Sequence, residues 1–275
     1  MFLKNIYLLL VFLYCSQAFS ESIFINPNGK TIKERFQTPK GYTRIKPSDN
    51  SFREYLQNLP LKKQGTKVLL FNGKVKTPDD VYDAVIDIDV GDKDLQQCAD
   101  AVMRLRAEYL YTKGRYGDIH FNFTNGFNAD YTKFAEGNRF KIKGNFVAWA
   151  KTANKDYSYE TFKKYLEIVY NYAGSASLSK ELKPVKDLST LQIGDIFIQG
   201  GFPGHAVIVV DSAKSKVTDE KLFLLAQSYM PAQDIQVLKN PEREELSPWY
   251  SNKNLETLVT PEWKFKKTDL KRFPE

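Results

Sequence analysis

Cysteine and histidine are scarce in this chain, with two of each among 275 residues. Neither pair has the short spacing of a metal-ligand motif, which argues against zinc and leaves no cofactor implied. There is no Gly-rich phosphate loop and no internal repeat, so nucleotide-loop folds and solenoids are set aside. Beyond the first twenty residues no apolar run approaches the length of a membrane span, so the mature chain is expected not to span a membrane. Charge of one sign never forms a block: 40 basic and 33 acidic residues are interspersed. That argues against nucleic acid as the partner and for a generally cationic surface, of the kind drawn to anionic envelope polymers.

What is present begins with a leader. Lys4, an apolar run from Ile6 to Tyr14 and the small residues of Ala18-Phe19-Ser20 make a secretory signal peptide of residues 1–20, with a mature start near Glu21. The expected location is therefore periplasmic or extracellular. Cys15 raises a lipoprotein anchor as the competing reading, but bulky Tyr14 stands where such a site needs a small residue. Cleavage leaves 39 basic against 33 acidic side chains and Cys98 as the sole thiol. A sole thiol in an exported chain forms no intramolecular disulfide, so it is either packed and inert or kept for its chemistry. Oligomeric state has no signature in the sequence.

Residues 21–90 read as a β-rich N-terminal region. It has a short helix over Ser51 to Asn58 and an Asn72-Gly73 hairpin between Val68–Phe71 and Lys74–Lys76. A strand follows from Val85 to Val90, with Asp87 and Asp89 on its wet face. Residues 91–275 read as an α+β domain. Asp94 is the expected N-cap of its best helix, with Gln97 in the capping-box position and an apolar face running to Tyr111. Cys98 then falls in or just past the first turn, where unpaired amides and the positive helix end favour a thiolate. It also falls on the apolar stripe, and a packed core cysteine is the equal alternative. Residues 116–150 form an aromatic, Asn/Gly-rich insertion. There Phe121, Phe127 and Trp149 are candidate substrate-binding rings, because aromatics beside amides suit a sugar or peptide cleft. Ser158 to Tyr172 is an amphipathic helix. Strands follow at Ile196–Ile198, Ala206–Val210, Lys221–Tyr229 and Ile235–Leu238, and then an extended tail that wraps the domain.

His205 enters its strand straight from a loop holding Gly200, Gly201, Pro203 and Gly204, where another segment can approach closely. Gln227 on the next strand is placed to orient the ring. A thiol at a helix start, an imidazole base and a polar third group are the parts of a Cys-His nucleophile. Leu191-Gln-Ile-Gly-Asp-Ile and Gly204-His205-Ala-Val-Ile-Val-Val-Asp211 resemble the Gly-Asp strand and the His strand of papain-like cell-wall cysteine peptidases and amidases, the NlpC and CHAP types. The resemblance implies helices packed on an antiparallel sheet, with Cys98 as nucleophile, His205 as base and Gln227 as third member. Two features depart from it: Cys98 stands in Gln-Gln-Cys-Ala-Asp, not Asp-Cys-Ser or Asp-Cys-Gly, and the stretch from Cys98 to His205 is longer. Over nearly its full length, including Asp-Leu-Gln-Gln-Cys-Ala-Asp-Ala and Leu-Leu-Ala-Gln-Ser-Tyr-Met-Pro-Ala-Gln, the chain also resembles a family of exported bacterial proteins known only as a domain of unknown function.

The expectation is an exported papain-like hydrolase that cleaves amide bonds of cell-wall peptides. The competing expectation is a non-catalytic module on the same scaffold that binds envelope glycan or peptide.

Overall fold

The computed structural model describes residues 23–274, so the leader, Cys15 and the expected mature start lie outside the described residues. The helices are α1 (Ile32–Arg35), α2 (Phe52–Gln57), α3 (Cys98–Thr112), α4 (Tyr131–Ala135), α5 (Tyr159–Tyr172) and α6 (Ser175–Glu181). The strands of the first half are β1 (Tyr42–Arg44), β2 (Tyr82–Val85), β3 (His120–Asn122), β4 (Asn128–Asp130), β5 (Asn138–Lys143) and β6 (Phe146–Lys151). Those of the second half are β7 (Lys183–Pro184), β8 (Ile196–Gln199), β9 (His205–Ser215), β10 (Lys221–Gln227), β11 (Gln236–Leu238), β12 (Tyr250–Ser251), β13 (Thr257–Val259), β14 (Lys264–Lys266) and β15 (Leu270–Arg272).

One nine-stranded sheet dominates this α+β fold, in the order β2-β11-β10-β9-β8-β15-β7, with β1 on β9 and β12 on β10. Its neighbours are antiparallel, and β8 meets β9 with Gln199 opposite His205 and Ile196 opposite Ile208. β9 is rich in β-branched residues because both of its faces are covered. Alternation sends Ala206, Ile208 and Val210 into a main core with Ala101, Val102 and Leu105 of α3. Val207 and Val209 point the other way, to a second core with Phe223, Leu225, Phe265 and Leu270. The N-terminal region is built into this arrangement: β1 and β2 join the sheet, and Ile32, Phe36, Leu56 and Leu59 enter the main core. Among the described residues no helix is long and apolar enough to cross a membrane.

Several elements differ from expectation. The first strand to reach the sheet in the 80s is Tyr82–Val85 and not Val85 to Val90. The chain leaves the sheet where Ile86 bridges Leu61 and the Asp87 amide bonds the Pro60 carbonyl. The Asn72-Gly73 turn forms, with Gly73 at φ 78° and the Leu70 amide on Lys74 O at 2.8 Å. Its flank then pairs with the Gln233 segment and extends no ladder. Helix α3 begins three residues later than Asp94 as N-cap predicts, with Gln97 in the cap position. Asp94 is drawn away because its carboxylate accepts the Ala232 amide at 2.7 Å and Gln97 Nε2 at 3.1 Å. The tail does more than wrap: β12 and β15 complete the sheet, and Leu258 and Phe265 of the β13–β14 hairpin line the second core. Residues 116–150 form two ribbons, β3–β4 and β5–β6, around α4.

Candidate functional site

Cys98 is the first residue of α3, directly after its N-cap Gln97, whose backbone is extended and whose amide donates to Asp100 Oδ2 at 3.0 Å. Asp100 thereby closes the helix start that Asp94 was expected to close. The thiol is 9% exposed and its Sγ lies 3.8 Å from the Gly204 carbonyl oxygen. Helix α3 thus aims its start at the backbone that leads into His205. The backbone there is itself tightly enclosed, since a Cβ on Gly204 would meet Ser175 Oγ at 2.2 Å and Gly201 O at 2.6 Å.

His205 is 1% exposed, at the first position of β9. Alternation along the strand turns its ring toward the second core, where the rings of Tyr229, Trp263 and Phe265 lie 4.9, 5.3 and 5.8 Å away. Its Nε2 lies 2.8 Å from Gln227 Oε1. Gln227 in turn donates from Nε2 to Glu262 Oε2 at 2.6 Å, and Glu262 Oε1 pairs with Lys76 Nζ at 2.5 Å. A carboxylate only accepts, so Glu262 fixes which end of the Gln227 amide faces His205. The oxygen faces the ring, Nε2 carries the proton, and Nδ1 is left as the basic nitrogen.

The electrostatics keep the resting groups neutral. Burial, with the Asp100 carboxyl adding to it, pushes the Cys98 thiol up to about 11. The amides of Ala99, Ala206 and Cys98 pull the other way, as a helix start should, but do not prevail. The expectation that the helix end would favour a thiolate is therefore corrected: desolvation wins. Burial likewise holds His205 down at about 4; the Gln227 bond opposes this and the Lys76 charge adds to it. At neutral pH the site holds a thiol and an uncharged imidazole.

A cleft of about 400 Å³ opens on Cys98 and is lined by Asp100, Tyr170, Ser175, Gly204, Phe202 and Met230 among others. Phe202 and Met230 are exposed apolar residues at its edge. The structure brings Cys98, the His205 backbone and, through the ring, Gln227 to one end of β9. It does not bring the thiol a hydrogen bond from the imidazole, because its partner is Gly204 O. Nor does it bring the three expected substrate-binding rings to the cleft. Phe121 is buried in the main core, and Phe127 and Trp149 pack together at 5.7 Å, with Phe140 4.3 Å from Trp149. These rings give the β5–β6 ribbon something to pack on, and the cleft takes its walls from residues 94–100, 170–175 and 201–204.

Sequence reasoning missed Glu262, Lys76 and Asp100. Glu262 and Lys76 are 186 residues apart, and nothing local separates them from surface charges. Asp100 had a signal, being an acidic residue two positions after a helix-start cysteine. The Gly-Asp turn holds the sheet together: buried Asp195 receives Arg272 Nε at 2.5 Å and Nη2 at 2.9 Å, which pins β15 in place. Among the described residues no group of three His, Cys, Asp or Glu side chains is arranged to hold a metal ion.

Fold and site define an α+β protein in which a buried thiol at a helix start abuts a central strand whose imidazole is paired with an amide of the next strand. The chain belongs to the family described as Domain of unknown function (4846), DUF4846, whose match covers residues 32–272. No curated protein and no solved structure matches it.

Proposed function

We propose that this is an exported, papain-like cysteine hydrolase of amide bonds, acting on cell-wall peptides. The observation that carries the reading is the 2.8 Å bond between His205 and Gln227 at the strand end against which Cys98 packs. Burying an imidazole, an amide, a carboxylate and an ammonium in one connected row costs desolvation that an apolar set of equal volume avoids. A positioned base accounts for that cost.

In the proposed reaction a peptide carbonyl enters the cleft and displaces the thiol from Gly204 O. As the sulfur–carbon bond forms, the thiol proton passes through one water to His205 Nδ1, since the ring faces the second core and makes no hydrogen bond to the thiol, and the amides at the start of α3 receive the oxyanion. The imidazolium gives that proton to the leaving amine as the carbon–nitrogen bond breaks. Water then attacks the thioester, with His205 accepting its proton and returning it to sulfur. Gln227 positions the ring throughout, and Glu262 positions Gln227.

The test is incubation of the purified protein with cell-wall peptides, read by mass spectrometry for cleavage products and for an acyl adduct on Cys98. Cleavage should vanish in Cys98→Ala and fall about 10²-fold or more in His205→Gln, the range of a lost general base. Absence of both product and adduct from the native protein overturns the reading. One observation favours a second reading, a non-catalytic envelope-binding module: the thiol's resting hydrogen bond to Gly204 O. On that reading the native protein retains peptide or glycan uncut, and Cys98→Ala changes only stability.

A further inference from the structure

Two turns beyond Cys98 on the same helix, roughly 12 Å along its axis, Arg106 opens a different feature. Its guanidinium lies over the rings of Phe52, Phe273 and Tyr109, at 5.1, 5.3 and 5.8 Å. No carboxylate pairs with it among the described salt bridges. A guanidinium stacked on ring faces keeps its N–H groups in its own plane, ready for an oxyanion. Around it is a cleft of about 310 Å³ that also receives Arg53, Arg115 and Arg272. Asp195 answers Arg272 at 2.5 Å, and Asp118 answers Arg115 at 2.6 Å. The like charge of Arg115 adds to burial in lowering the pKa of Arg106.

The cleft does not end there. Arg272, Phe273 and Pro274 also line an adjoining groove of about 570 Å³, to which Lys183 and Lys186 add charge. Among the described residues Asp187 is the one carboxylate in its lining, and it is taken up by the amide and hydroxyl of Ser189. The two hollows share Arg272, Phe273 and Pro274, so a track of basic side chains runs from one into the other. Guanidinium groups arriving from α2, α3, the 115 loop and β15 suit an anion with oxygens on several sides, as a tetrahedral phosphate has, better than a planar carboxylate.

We infer that this track binds a linear chain of linked phosphates, with Arg106 gripping one phosphate at the deep end and Lys183 and Lys186 following the chain outward. The site is separate from the Cys98 cleft and does not depend on it.

The test is calorimetric titration of the full chain with inorganic polyphosphate, at several salt concentrations, against orthophosphate and against poly-aspartate and an oligonucleotide of matched charge. Polyphosphate should bind measurably tighter than any of these, with affinity falling as salt rises. Arg106→Gln should weaken it about tenfold, and Lys183→Gln with Lys186→Gln should lower the log–log salt slope by about two, one per lost phosphate contact. Arg106 also packs on three rings, so the surface lysine pair keeps the test decisive if Arg106→Gln fails to fold. Cys98→Ala should bind as the native chain does. Equal binding of poly-aspartate, tighter binding of a charge-matched oligonucleotide, or an unchanged lysine double variant each overturns the inference.

Discussion

Replacing Asp100 by Asn tests the electrostatics of the Cys98 site without changing its shape. Asp100 is buried, its Oδ2 accepts the Gln97 amide at 3.0 Å, and its Oδ1 has no hydrogen-bond partner. Burial raises its carboxyl from the ordinary 3.8 to about 8. Between those values the folded chain holds a proton that the unfolded chain has released. The carboxyl's contribution is thus fully present below pH 4 and is lost as pH rises toward 8. At about 1.4 kcal/mol per pH unit the full span sets an upper bound of about 6 kcal/mol, and relaxation around the charge should leave about half of that. An Asn side chain imitates the protonated acid, so the variant should match the native chain near pH 4 and exceed its stability by about 3 kcal/mol at pH 8. Urea unfolding at pH 4.5, 6.5 and 8 measures the divergence. The same change removes a charge that raises the thiol's pKa, so alkylation of Cys98 at pH 9 should be faster in Asp100→Asn. Native and variant stability curves that run parallel with pH would refute the reasoning.

Other perturbations separate packing from charge. Gly204→Ala should destabilise the fold by about 2 kcal/mol or more, because its Cβ would sit 2.6 and 2.8 Å from the backbone oxygens of Gly201 and Gln199, which cannot swing aside; an unshifted melting temperature would contradict the close approach. Arg272→Ala should lower the urea midpoint by the equivalent of about 3 kcal/mol, since buried Asp195 would lose its ionic partner. Glu262→Gln should cost a similar amount by stranding buried Lys76, and adding Lys76→Met should restore most of it. In the cleavage assay both Glu262 variants should stay slow, because an amide at 262 can present either its oxygen or its NH2 group to Gln227 and no longer fixes which end faces His205.

Local chemistry was legible where one residue type leaves few alternatives. The run from Ile196 to Val210 could only be two strands around a Gly-Pro turn, and β8 and β9 fall there. Ser158 caps α5 through the Thr161 amide, as its position before an amphipathic run requires. The site was half legible: His205 and Gln227 meet as strand order suggested, because neighbouring strands of an antiparallel sheet bring such positions side by side. The aromatic segment was misread since dense rings serve ribbon packing as readily as a cleft, and only the fold tells Phe121 in the core from Phe202 at the rim. The start of α3 is misplaced because Asp94 is a competent cap and Gln97, with Asp100 closing back on its amide, is another. The distant Ala232 amide chose between them.

By itself the sequence determined the α+β alternation, the central hairpin, the scarcity of metal-ligand residues and the identity of the thiol and imidazole worth watching, all of which follow from periodicity, turn chemistry and composition within a few residues. Tertiary structure alone decided what those groups are. It buried Cys98 and His205 so that desolvation outweighs the helix end, and it carried Glu262 and Lys76 across the chain to fix the Gln227 amide. It also gathered four arginines from separate segments around one cleft. Burial and charge pairing depend on what the rest of the chain places nearby, and no local pattern encodes that.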